Sequence, residues 1–194
     1  MGARRGLSAA SLDEVAAEAG FTKGAVYANF ASKEDLFLAV LDTRFDQRMA
    51  ELEHVFASGD DPEVQAAPAG ASFTRAIEAD PDWQRLFVDF TALAARDEAF
   101  RAQMAQRYLQ LRERITAMLG RRLDDAGLEP TMPIVDVAMM TFAMANGVAL
   151  ERMLLGDDVP GDLLARMFVL LAEGVSREPS TPPRAGGARR GARA

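Results

Sequence analysis

The chain has 194 residues, 49% of them hydrophobic, enough to bury a core as one domain or as a small domain joined to a larger one. It has no cysteine, which excludes disulfides and cysteine-based metal sites and fits a reducing cytosol. The formal charge of −7 is unevenly placed: Ser176 to Ala194 carries five arginines against Glu178, a net of +4, so residues 1–175 total −11.

Residues 1–10, MGARRGLSAA, hold two arginines and no apolar run of the kind a secretory signal needs. Ser11 with Glu14 three residues on is a capping box, in which each side chain satisfies an otherwise orphaned backbone N–H, so a helix starts there. Leu12, Val15, Ala16 and Ala19 share one face at helical spacing, and Gly20 stands where a left-handed stop is wanted. Phe21 is expected to plug the turn into the core. Thr22 caps a second short helix, to which Val26 and Phe30 give an inward stripe. Ser32, with Asp35 three residues on, caps a third. Two short helices across a tight turn, with another close behind, have the spacing of a helix-turn-helix, whose second helix lies in the DNA major groove.

Between Ala19 and Lys33 there is no carboxylate, although the chain is acidic, and the two charges present are Lys23 and Lys33. A surface that approaches phosphate cannot carry Asp or Glu without repulsion. Gly24 lets backbone come close, Ala25 and Ala28 leave a groove unobstructed, and Tyr27 offers a phenolic donor to a phosphate oxygen. Lys33 lies in a first helical turn, where an anion is favoured. With Ser11, Thr22 and Asn29 these residues form the candidate DNA-binding set. On charge and capping alone, an ordinary helical corner that touches no DNA is an equal alternative.

The wording of the stretch adds to this. SLDEVAAEAGFTKGAVYANFASKEDLF resembles the DNA-binding domain of the TetR family of bacterial transcriptional regulators, over about Gly6 to Leu41. It has that family's Ser or Thr cap, Ala-rich helix, Gly and apolar residue, then a small-residue recognition helix bearing Tyr, then Phe and a Ser-Lys-acid helix start. The resemblance implies an all-α fold: an N-terminal helix-turn-helix DNA-binding domain (1–45), a C-terminal helical bundle for ligand binding and dimerisation (46–175), and beyond it a basic tail (176–194), disordered on its Pro, Gly and Arg content. It also implies an extra first helix of about four turns, of which Met1 to Ala10 corresponds only to the end. Its absence should expose apolar positions on the helix-turn-helix and the Leu36, Phe37, Val40, Leu41 face. An upstream start codon, a truncated gene or another covering element would each account for that, the first being favoured. A truncated dimer that keeps ligand or partner binding but is impaired in DNA binding is the alternative function.

Further along, the helix from Ser32 should run to about Phe56, linking the two domains. ASGDDPEVQAAPAGAS reads as a loop with a turn of helix at most, and Phe73 to Ala79 as a short helix stopped by Asp80-Pro81. The next helix carries Trp83, Leu86, Phe87, Phe90 and Leu93. A long one to about Ala126 turns Phe100, Met104, Tyr108, Leu111, Ile115, Met118 and Leu119 inward, and Gly127 and Pro130 close it. Met132 to Leu155 is the most apolar element, interrupted by Asp136, Thr141, Asn146 and Glu151, and so not read as a membrane span. A last apolar helix follows, Leu163 to Val175.

These last two helices hold more apolar surface than one protomer is expected to cover. The resemblance implies that they pair with their copies in a homodimer, through Val148, Met153, Leu164, Phe168 and Leu171; a monomeric core is the simpler alternative. Trp83, Phe87, Phe90, Phe100, Met104, Tyr108, Met140 and Met144 pack a core first of all. The resemblance implies that some of them also hold a small apolar effector. Asn146 either orients that ligand or hydrogen-bonds across the dimer. His54, the single histidine, reads as solvent-exposed, and no metal or cofactor is expected. No nucleophile motif, phosphate loop or HExxH spacing supports an enzyme. The expected protein is a cytoplasmic regulator of transcription, on the nucleoid when bound to an operator in double-stranded DNA, and a repressor by default.

Overall fold

The computed structural model describes residues 11–57 and 62–177. The expected loss of a first helix (residues 1–10) and the basic tail beyond Arg177 fall outside them. Within them the fold is all-helical: α1 Leu12–Glu18, α2 Lys23–Tyr27, α3 Lys33–Phe56, α4 Pro62–Ala79, α5 Pro81–Ala94, α6 Glu98–Ala126, α7 Ile134–Leu155 and α8 Leu163–Val175. A two-residue antiparallel pair, Glu129–Pro130 with Ser176–Arg177, ties the end of α6 to the end of α8.

Local chemistry sets most boundaries. The Ser11 hydroxyl accepts from Glu14 N while Glu14 Oε2 accepts from Ser11 N at 2.8 Å, the reciprocal box expected at the start of α1. Its end is a Schellman turn: Gly20 (φ +74°) donates to Ala17 O and Phe21 N to Ala16 O. Contrary to expectation, Phe21 does not plug the core and is 65% exposed. The position such a turn sets beneath it is Ala16, whose single methyl cannot cover a phenyl ring.

Helix α3 is unbroken across residue 45, the boundary drawn from sequence. Its Phe37, Leu38 and Leu41 do not form an exposed patch. They are buried with Phe90, Phe100 and Met104 of α5 and α6, the Phe37 and Phe90 rings stacked at 3.7 Å, so these two helices cover Phe37 and Leu41 of the face expected to be bare, while Leu36 and Val40 are half-buried.

The segment read as a loop is largely helix α4. Its Ala, Gly and Pro content is turn-like, but Ala66, Ala69, Gly70 and Phe73 fall on one buried face. Gly70 explains the composition: a Cβ there would lie 2.6 Å from Ala165 Cα and 2.7 Å from Leu164 O, so small residues let α4 and α8 touch backbone to backbone. Pro68 faces solvent, where the loss of one helical hydrogen bond is tolerated.

The main core joins α3, α4, α6, α7 and α8 through Met49, Leu52, Phe73, Leu111, Ile115, Ala138, Leu164 and Phe168. Helix α7 places Ala138, Ala145, Val148 and Ala149 in that core and buries Val137 and Thr141 as well. By length and composition the stretch Ile134–Asp158 is apolar enough to cross a membrane (mean hydropathy 1.4), despite the four polar interruptions. Its inner face is taken up by the protein, and we read it as a core helix with one face left over.

Candidate nucleic-acid interface and effector cavity

Helix α2 is capped as expected, the Thr22 hydroxyl accepting from Ala25 N at 3.2 Å, and α3 likewise, Ser32 accepting from Asp35 N at 3.1 Å. Lys23, Gly24, Ala25, Tyr27, Ala28 and Asn29 are all exposed, with Val26 and Phe30 half-buried beneath them. Ser11 and Thr22 are exposed too, their hydroxyls spent on their caps, while Lys33 is half-buried at the start of α3. The Asn29 amide nitrogen donates to Ala25 O at 2.9 Å, leaving its oxygen for other partners.

One residue of this surface was missed. Asp13, in the first turn of α1, places Oδ2 2.6 Å from Lys23 Nζ. The hydrogen bond from Lys23 is the main influence holding the Asp13 carboxyl below its ordinary pKa; burial opposes it, and the Lys23 charge and a hydrogen bond with Tyr27 assist. The same bond to Asp13 raises Lys23. The carboxylate-free window from Ala19 to Lys33 is real in sequence but not in space. Only the turn that folds α2 back on α1 brings these two residues together, ten positions apart.

A cavity of about 230 Å³ lies between α3, α4, α5, α6 and α7. Of the residues expected to hold a ligand, Trp83, Phe87, Tyr108 and Asn146 line it. Phe90, Phe100 and Met104 do not; they are filled in around Phe37. Met140 is on the outer surface of α7, and Met144 packs against the main core away from the cavity. Burial pushes the Tyr108 phenol up to about 12, against a hydrogen bond with Asn146 that lowers it, so it enters the site as a neutral group. The sequence reading also missed the polar wall from α3. There Arg44 pairs with Asp80, and Arg48 with Glu51 at 2.7 Å. A second, apolar cavity of about 90 Å³ lies between α3, α4, α6, α7 and α8.

The residues named for a dimer interface separate into two groups. Val148, Leu164 and Phe168 are buried inside the protomer, in the core that α4, α7 and α8 share. Leu171 is half-buried and Met153 exposed. The outer face of α7 carries instead Val135, Met139, Ala143, Gly147, Leu150 and Leu154, all exposed and three or four residues apart; Leu170 of α8 is exposed as well. Such a stripe, small in its middle, is shaped for another helix.

A helix-turn-helix carried on a helical body is the architecture of a DNA-binding regulator. The model for bacterial regulatory proteins of the tetR family matches residues 2–40, and that for the C-terminal domain of BetI-type transcriptional repressors matches residues 70–172. The chain belongs to the TetR family, and is a transcriptional regulator and not an enzyme. It is 23% identical over 168 residues to the HTH-type transcriptional regulator YfiR of Bacillus subtilis, covering 82% of this chain and 78% of that one. In fold it is similar to the fatty acid degradation regulator FadR of Bacillus halodurans (TM-score 0.72, 15% identity, 89% of each chain). It is likewise similar to SmeT in its triclosan complex (TM-score 0.67, 17% identity, 94% of this chain and 90% of that one).

Proposed function

We propose that the protein is a homodimeric repressor that holds a pseudo-palindromic operator through α2 and releases it when a small molecule enters the cavity beneath α3. The observation that carries this reading is a single helix. The first turn of α3 closes the helix-turn-helix at Ser32, and its middle turns supply Arg44, Phe45, Arg48 and Glu51 to the cavity wall. A ligand that changes how those turns pack has a rigid path to the recognition helix. A coupling of about 1 to 3 kcal/mol would change operator affinity 5- to 150-fold, enough for induction.

Dimerisation through the outer stripe of α7 sets two recognition helices on one duplex, which calls for an operator of matching symmetry. Residues 1–45 then serve as reader and 46–175 as sensor, in a cytoplasmic protein that joins the nucleoid when bound to DNA. A regulator of the same fold that holds triclosan supports a small-molecule effector for this chain as well.

Gel shift with double-stranded DNA from upstream of the protein's own gene tests the reading. A shift is expected, weakened across sequences by Lys33→Ala, with the dependence of affinity on salt flattened by about one unit. No shift of that DNA over any other would contradict it.

A further inference from the structure

The polar groups of the cavity are unevenly shared. Two guanidinium groups, from Arg44 and Arg48, and one carboxylate, from Glu51, face it. Arg48 is largely buried, and burial is the main influence drawing its pKa down. Its counter-ion Glu51 is 49% exposed and also accepts from the Ser72 hydroxyl at 3.1 Å, so water screens the carboxylate more than the cation it neutralises. Arg44 is held by Asp80, whose other oxygen caps α5 by accepting from Trp83 N.

Two of the aromatic faces that a cationic ligand would need are already taken. The Arg44 guanidinium lies 5.2 Å from the centre of the Trp83 ring, and that of Arg48 lies 4.3 Å from the centre of Phe73. On the other side, Phe45, Tyr108 and Phe142 meet edge to face and make an apolar wall, with Asn146 and the neutral Tyr108 hydroxyl as one polar point on it.

We infer that the effector is a small amphipathic anion, whose acidic head replaces Glu51 on Arg48 and whose apolar body lies against Phe45, Phe142 and Tyr108. This rests on the effector reading of the cavity and narrows its chemistry. A planar guanidinium grips a carboxylate in two parallel hydrogen bonds. The volume of about 230 Å³ is under the roughly 300–1,000 Å³ of drug-sized sites, which limits the body to one ring or a short chain. Both arginines belong to α3, so an anion that loosens Glu51 acts on the helix that leads to the DNA reader.

Trp83 is the single tryptophan of the chain and lines the cavity, so its fluorescence reports occupancy in the full-length protein. Three probes with one body suffice: 3-phenylpropanoate, 3-phenylpropanamide and (3-phenylpropyl)trimethylammonium. The carboxylate is expected to bind about tenfold more tightly than the amide, and the ammonium more weakly than either. Arg48→Gln should erase the carboxylate's advantage. Glu51→Gln, which keeps the shape of the side chain and an acceptor for the Ser72 hydroxyl, should increase it about threefold by removing the competing charge. Amide or ammonium binding as tight as the carboxylate overturns the anionic class while the cavity remains an effector site. No Trp83 response to any probe overturns both.

Discussion

Lys23 Nζ lies 2.6 Å from Asp13 Oδ2, so the one cation of the recognition helix is neutralised within its own domain. A DNA phosphate has to take Lys23 from that carboxylate and approach the carboxylate's own charge in doing so.

Asp13→Asn is therefore expected to strengthen DNA binding about fivefold at low salt and to steepen its salt dependence by up to one counterion. Lys23→Ala should weaken it, and the double variant should resemble Lys23→Ala alone. Anisotropy titrations at several salt concentrations check this; an Asp13→Asn protein that binds less tightly would assign the pair a positioning role instead.

Burial divides the two apolar helices into a part that holds the protomer and an exposed part that we propose meets a copy. Leu150→Glu, on the exposed stripe of α7, should convert dimer to monomer in sedimentation while leaving helix content intact. Leu164→Ala should do the reverse, costing about 2–5 kcal/mol of stability with no direct loss of interface, because Leu164 is fully buried within the protomer.

Gly70→Ala tests the contact that turned an expected loop into α4. No rotamer can relieve a methyl set against the backbone of Ala165, so the helices must part, at about 1–3 kcal/mol by denaturant unfolding. An unchanged midpoint would mean that the two helices are not in backbone contact.

The buried Tyr108 gives an alkaline signature. Its folded pKa, about 12, is above the ordinary 10, so the unfolded chain ionises first. Its contribution to stability is complete below pH 10 and is lost as pH rises from 10 to 12, about 3 kcal/mol in all. The Tyr108 share of phenolate absorbance should emerge only near pH 12 and vanish in Tyr108→Phe, which should also lose less stability over that interval.

The DNA-reading end was legible in sequence because its signals are local. Ser11 with Glu14, Gly20, Thr22 and Ser32 each act on backbone within a few residues, and each does so in the folded chain. What escaped depends on distant partners. Asp13 reaches Lys23 only once α2 folds back, and Gly70 is explained by Ala165, ninety-five positions on. Phe90 and Phe100 look like cavity-lining aromatics until Phe37 is seen to pack against both. Periodicity marks a residue as apolar and inward; it does not say whether the inside is core, cavity or partner.

A symmetric dimer reading DNA through α2 would select a symmetric site. Selection of bound duplexes from a randomised pool, followed by the mass of the resulting complex, tests it most directly. A pseudo-palindrome is expected, with half-sites one helical turn or a multiple of it apart, bound by two protomers or a multiple of two, and lost on addition of effector. Enrichment of no sequence, or of an asymmetric site bound by one protomer, would contradict it.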